Sequence, residues 1–310
     1  MPYLSARILE GMWAGLPVPW TSRDKIDEAA LRENVRRVCQ AGAHGVYTHG
    51  TTGEFYAQTL EEWKRVVTAT IEEARVFRTP VQIGCTSLYT KDVIRRMAFA
   101  QESGAGAVQI AFPFWLPLTD AEALRFLIEV IEAIPGIPVV LYNTERSRKP
   151  LTADLLKRIL DAAVPLIGCK GARTRKELRL FHHVAPRVRF FVGEAKLAGW
   201  WQDGARGSYS SLIYACPRLM VRFYKMCKQN DREAKVVERK LKRLAAEYVI
   251  PRLARGMYDT AFDRTFATAT GFLTGNLLFS RGPYDPATPA DVQEFREWCA
   301  RRFPEFLQEV

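Results

Sequence analysis

Pro165-Leu166-Ile167-Gly168-Cys169-Lys170 reads as a short buried strand that ends on an amine. Its apolar residues do not alternate with polar ones, the pattern of a strand covered on both faces. A lysine closing such a run is ordinarily solvated or ion-paired, because its long stem lets the ammonium reach water. Two other strand ends give this one a different meaning. Pro138-Val139-Val140-Leu141 terminates on Tyr142, 28 residues before Lys170, and Gly45-Val46-Tyr47-Thr48-His49 runs into Gly50-Thr51-Thr52-Gly53-Glu54. An amine, a phenol and a glycine-flanked hydroxyl pair at three strand ends are the parts of Schiff-base machinery.

The same alternation extends along most of the chain. Eight β-like runs, at 9–14, 45–49, 81–85, 107–111, 139–142, 166–170, 189–192 and 207–210, are interleaved with helical apolar spacing at 27–40, 60–77, 90–102, 119–133, 152–162 and 174–183. Several of these helical stretches open on Asp or Thr, which accept hydrogen bonds from free N–H groups of a first turn. Repeated strand-helix units imply parallel strands joined by crossovers. Eight of them predict an α/β fold, a closed (β/α)8 TIM barrel over residues 1–230, rather than an open doubly wound sheet. No G-x-G-x-x-G follows the first strand, so a dinucleotide site is not expected. Beyond the barrel, 231–249, 257–272 and 290–303 read as three more helices, the last stopped by Pro304, forming a C-terminal helical appendage over 231–310 packed on the barrel.

Composition narrows the function classes. The chain has 310 residues, 48% of them hydrophobic, enough for one large core. Six cysteines lie at 39, 85, 169, 216, 227 and 299 with neither C-x-x-C nor metal-ligand spacing, which predicts reduced thiols, a cytoplasmic location and no metal site. The most apolar stretch, 105–118, is too short for a membrane span and carries Gln109, Pro113 and Pro117. The formal charge is +11, and Arg239-Lys240-Leu241-Lys242-Arg243 is the densest basic run. That run lies among Glu233, Glu238 and Glu247 without interleaved aromatics, so it reads as a solvated helix face and not as a nucleic-acid site. The positive field is suited to attracting small acids.

In a barrel, Gly50, Thr51, Thr52, Tyr142 and Lys170 all fall at the carboxyl ends of strands, where barrels place their active sites. Burial among Leu166 and Ile167 disfavours a charged lysine and so favours the amine that attacks a carbonyl. A phenol at Tyr142 is suited to carrying protons to and from the carbinolamine; taken alone it also reads as an aromatic sealing the barrel mouth. The glycines of Gly50-Thr51-Thr52-Gly53 permit a tight turn whose N–H groups and hydroxyls can hold a carboxylate, or an ordinary loop cap.

These residues resemble the dihydrodipicolinate synthase and N-acetylneuraminate lyase family of pyruvate-dependent class I aldolases. The resemblance rests on Gly11-Met12-Trp13-Ala14-Gly15-Leu16-Pro17, Gly50-Thr51-Thr52-Gly53-Glu54, Tyr142-Asn143, Gly168-Cys169-Lys170, Gly193-Glu194 and 204–210, in that order, and on the three-helix tail. It implies that Lys170 forms a Schiff base with pyruvate, that Tyr142 shuttles protons, that Thr51 and Thr52 hold the pyruvate carboxylate, and that the enamine adds to an aldehyde or is released by retro-aldol cleavage. It further implies a homo-oligomer, tetramer or dimer, with no metal or organic cofactor.

Several positions depart from that pattern. The synthases carry Pro-Tyr-Tyr after the fourth strand, the second tyrosine entering the neighbouring subunit; this chain has Pro113-Phe114-Trp115. An indole N–H donates a hydrogen bond but does not relay a proton, so Trp115 reads as a substrate contact or as part of an apolar subunit contact. After Tyr142-Asn143 the family commonly has proline and then arginine, whereas this chain has Thr144-Glu145-Arg146-Ser147-Arg148. Ser147 takes the ungapped arginine position; a shift of one residue brings Arg146 or Arg148 forward as the carboxylate clamp, and the segment equally reads as a solvated basic loop. Ala195 and Lys196 stand near the Asp-Glu pair of the sialic acid lyases, which disfavours that substrate, while Gly193, Glu194 and Ser210 remain candidate contacts. Histidines 44, 49, 182 and 183 read as surface or loop residues.

The expected activity is that of a lyase or aldolase using pyruvate or a related 2-oxo acid through Lys170, with an aldehyde as second partner. A hydratase-aldolase acting on an apolar aldehyde fits Phe114, Trp115 and Trp200 as pocket walls. Dihydrodipicolinate synthesis and sugar-acid dehydration use the same lysine. A catalytically degenerate barrel that only binds a 2-oxo acid is the reading from another class, and the joint presence of Lys170, Tyr142, Thr51 and Thr52 weighs against it.

Overall fold

The computed structural model describes residues 2–307. In chain order the elements are β1 (Gly11–Gly15), α1 (Glu28–Gln40), β2 (Gly45–Thr48), α2 (Leu60–Val76), β3 (Val81–Gly84), α3 (Thr90–Ser103), β4 (Ala107–Ile110), α4 (Asp120–Ala133), β5 (Val139–Tyr142), α5 (Ala153–Asp161), β6 (Leu166–Lys170), α6 (Arg175–Val184), β7 (Arg189–Phe191), the short α7 (Leu197–Trp200), β8 (Ala205–Ser210) and α8 (Pro217–Lys228). All neighbouring strands pair in parallel, and β8 closes on β1, giving the (β/α)8 barrel. Side chains of Asp27, Thr119, Thr152 and Thr174 accept from first-turn N–H groups, so the helix starts are set locally.

The barrel interior is packed with side chains and is not a pore. Leu9, Trp13, Ala107, Val140 and Phe191 form one cluster there, and Leu4 closes its amino-terminal end as its N–H donates to the Gly106 carbonyl at 2.8 Å. A much larger apolar layer lies between the strands and the surrounding helices.

The C-terminal part continues with α9 (Arg232–Leu244), α10 (Ile250–Ala254), α11 (Asp259–Ala269) and α12 (Pro289–Arg302). The helix expected over 231–249 leaves α geometry at Leu244 and passes through a π-helical turn, Ala245–Val249, into α10, where Pro251 supplies no N–H. α8 lies outside the expected helical stretches, although Pro217 in its first turn and apolar residues at 219, 220, 223, 224 and 227 mark it. Buried residues of α9, α11 and α12 belong to the same hydrophobic layer as the barrel helices. That continuity carries α11 to the barrel mouth.

Candidate active site

Parallel pairing of β5 and β6 sets Tyr142 directly opposite Lys170, which accounts for the interval between them. Asn143 locks this corner. Its N–H donates to the Lys170 carbonyl at 2.8 Å, its side-chain amide donates to the Gly171 carbonyl at 2.7 Å, and its side-chain oxygen accepts from the Leu151 N–H at 3.0 Å. Gly171 turns the chain away from the strand at φ +97°, and a Cβ there would lie 2.4 Å from the Asn143 carbonyl oxygen.

The Lys170 ammonium nitrogen lies 4.3 Å from the centre of the Tyr142 ring, 5.1 Å from that of Tyr209 and 5.9 Å from that of Tyr47. Three strands thus surround one amine with aromatic faces. The positive charge of Lys170 is the main influence holding the Tyr142 phenol below its usual pKa, outweighing burial, and the Thr144 hydroxyl bonds the same phenol. Tyr209 is committed elsewhere, its hydroxyl donating to Gln82 across the barrel at 2.6 Å.

Lys170 opens into an inner chamber of about 370 Å³ whose walls include Gly50, Thr51, Thr52, Gly193, Glu194 and Ser210. The sequence-distant candidates therefore meet. Glu194 accepts from the Ser211 N–H at 3.1 Å, and Ser210 Oγ accepts from Leu212 and Ile213, so both also shape the loop after β8. Adjoining it is an outer chamber of about 610 Å³, sharing Tyr47, Gly50, Thr51, Tyr142 and Asp259 as walls. Its apolar lining comes from Phe55, Tyr56, Phe114, Tyr258, Pro283 and Tyr284.

Four expected contacts fall differently. Arg146 lines the outer chamber, but its guanidinium donates twice to Asp259, at 3.0 and 3.1 Å, and so does not present a free clamp. Arg148 is exposed and donates to the Trp115 carbonyl at 3.3 Å outside both chambers, since a left-handed residue at φ 53° turns it away. Trp115 itself is 75% exposed and lines neither chamber, nor does Trp200, which packs under Lys196. Among the histidines, His49 departs from a surface role: it is buried against Trp63, and burial lowers its pKa to about 3.

Sequence reading missed the contribution of α11. Asp259 and Asp263, one helical turn apart among Ala261, Phe262 and Phe266, point carboxylates at the barrel mouth; that spacing within an apolar helix was the available signal. Thr52 Oγ1 donates to Asp263 at 2.5 Å. Arg264, fully buried, turns the other way and pairs with the buried Glu54 at the end of the Gly50-Thr51-Thr52-Gly53-Glu54 turn. Among the described residues no group of three or more His, Cys, Asp or Glu side chains is arranged to hold a metal ion.

The model of the dihydrodipicolinate synthetase family matches residues 8–261. The chain belongs to this family. It is 38% identical to a 4-hydroxy-tetrahydrodipicolinate synthase of Thermus thermophilus over a stretch covering 54% of this chain and 56% of the relative, so this match spans about half of either protein. A synthase of the same name from Methylobacterium radiotolerans is 32% identical, with 71% and 73% covered. Among solved structures, YagE of E. coli K12, a family member crystallised in complex with pyruvate, aligns with TM-score 0.85 at 20% identity over 97% of this chain and 99% of that one. PhdJ bound to a substrate intermediate aligns with TM-score 0.84 at 20% identity over 99% of each chain. These structural likenesses establish the shared barrel.

Proposed function

We propose that this chain is a class I carbon–carbon lyase or aldolase that binds pyruvate, or a related 2-oxo acid, covalently through Lys170. The observation that carries the reading is the Lys170 amine held against the Tyr142 ring in a chamber walled by Thr51 and Thr52. The lone pair of Lys170 attacks the ketone carbon, and Tyr142 protonates the departing carbinolamine hydroxyl, which leaves as water. The iminium accepts electrons as a proton leaves the adjacent carbon, giving an enamine that adds to an aldehyde; cleavage runs the same steps in reverse. Hydroxyls of Thr51 and Thr52, with the turn's N–H groups, hold the substrate carboxylate beside Lys170.

The aromatic outer chamber favours an apolar or aromatic aldehyde as second partner, Phe114, Tyr56, Tyr258 and Tyr284 supplying ring faces. No cofactor is required, since the substrate iminium is itself the electron sink. Exposed Leu88, Tyr89, Trp115 and Leu116, on the loops after the adjacent strands β3 and β4, support assembly with a second copy of the chain, as a dimer or tetramer. We read residues 231–310 as an appendage that completes the site of the 1–230 barrel through α11. All six cysteines are buried, which fits a cytoplasmic protein, and no helix among the described residues is long and apolar enough to cross a membrane.

Borohydride reduction in the presence of pyruvate, followed by peptide mass mapping, tests the assignment. An adduct on Lys170 that disappears in Lys170→Ala is expected; no adduct on any lysine would sink it. A panel of aldehydes run in both directions then tests the partner. Turnover of an aromatic aldehyde without turnover of aspartate semialdehyde is expected, and efficient dihydrodipicolinate formation would refute the aromatic reading.

A further inference from the structure

Asp263 lies two residues beyond the segment that matches the family model and faces the inner chamber from α11. It is 5% exposed, and its partners are hydroxyls: Thr52 Oγ1 at 2.5 Å and the Ser211 side chain. Among the described residues no lysine or arginine forms an ion pair with it. Its surroundings include Asp259 on the same helix, already paired with Arg146; Glu194 after β7; Tyr214 after β8; and Lys170 and Tyr142 across the chamber. Arg264, next in sequence, is directed at Glu54.

A threonine hydroxyl has one proton to donate. While Asp263 is ionised, Thr52 directs that proton to Asp263 and turns only lone pairs toward a second carboxylate, which also meets like charge. If Asp263 carries a proton, its own O–H donates to Thr52 Oγ1 and the Thr52 hydroxyl is released to donate to the substrate. We propose that Asp263 is a proton-gated positioning residue, and that a 2-oxo acid carboxylate enters the Thr51-Thr52 cradle with Asp263 in its protonated form. This rests on the function assigned to Lys170 and the two threonines above. Burial, reinforced by the negative charge of Asp259, pushes the Asp263 carboxyl up to about 7, so the gate changes state in the working range.

Asp263→Asn supplies the test, because an amide N–H donates to Thr52 as the protonated acid does and does not ionise. The pyruvate concentration giving half-maximal borohydride trapping is measured for both proteins from pH 6 to pH 9. The ratio of wild type to variant is expected near one at pH 6 and to rise about tenfold per pH unit above 7. Both proteins carry the same Lys170, so the ratio compares the side chain at position 263. A flat ratio, or a variant weaker at every pH, would overturn the gate and leave Asp263 as a structural residue. If Asp263→Asn does not fold, calorimetry of pyruvate binding to Lys170→Ala at pH 8 in two buffers of different ionisation enthalpy decides: uptake of close to one proton supports the gate, and no uptake overturns it. Loss of the Lys170 adduct altogether would remove the functional reading and this inference together, whereas adducts with coincident pH profiles remove the inference alone.

Discussion

Replacing Arg264 by Met isolates one of the contacts that fasten the threonine turn to α11, leaving the Thr52–Asp263 hydrogen bond in place. Arg264 and Glu54 are both buried, with side-chain exposures of 0% and 1%, and the guanidinium also donates to the carbonyls of Leu277 and Val18, each at 3.0 Å. Glu54 keeps two other donors, Trp20 Nε1 at 2.6 Å and the Arg281 N–H at 3.1 Å, but no counter-charge. Methionine fills much of the volume, so the loss is electrostatic: a carboxylate stranded away from water and two carbonyls without donors. Removing one partner of such a pair costs about 3–5 kcal/mol. Denaturant titration of parent and variant, followed by circular dichroism, measures it. Adding Glu54→Gln to Arg264→Met is expected to recover part of the loss, because the stranded charge is gone. A single-variant loss below about 1 kcal/mol would refute the reasoning, since surface ion pairs already reach that value.

Other outcomes follow from the site. Tyr142→Phe is expected to lower kcat by roughly 10²–10⁴-fold while the pyruvate requirement changes little, because the ring remains and the proton carrier is lost; steady-state kinetics with unchanged kcat would remove the proton role. Tyr284→Ala is expected to raise KM for an aromatic aldehyde about tenfold, the loss of a ring contact of roughly 1 kcal/mol or more, without weakening pyruvate trapping. His49 gives an acid-sensitive element. Burial first, then the charge of Arg96, depresses its pKa to about 3, so its stabilising contribution is complete above the unfolded value of about 6.5 and is lost as pH falls from there toward 3. Denaturant titrations at pH 6.5 and 5 should differ by about 2 kcal/mol from this group, and His49→Asn, compatible with the local φ of 58°, should flatten that part of the profile.

The strand ends explain how much of the candidate site's geometry is legible in the sequence. β5 and β6 end at Tyr142 and Lys170 as their apolar runs indicate, and once parallel neighbours are assumed, register alone brings the amine and the phenol together. The threonine turn joins them because all strand carboxyl ends share one face. The loop arginines were not legible in this way. Whether Arg146 or Arg148 faces inward depends on one left-handed residue, and Asp259, the group that captures Arg146, comes from a helix more than a hundred residues later.

From the sequence alone, short-range chemistry determined the periodicity of the elements, the threonine and aspartate helix starts, and the barrel whose parallel strands align Lys170 with Tyr142. Tertiary structure alone decided what surrounds that pair. It caged Lys170 between Tyr142, Tyr209 and Tyr47, built an aromatic outer chamber partly from residues 258–284, and set Asp263 against Thr52. The physical reason is that periodicity and register act between neighbours along or across strands, whereas a buried carboxyl is defined by which distant surface it is packed against and how completely water is excluded there.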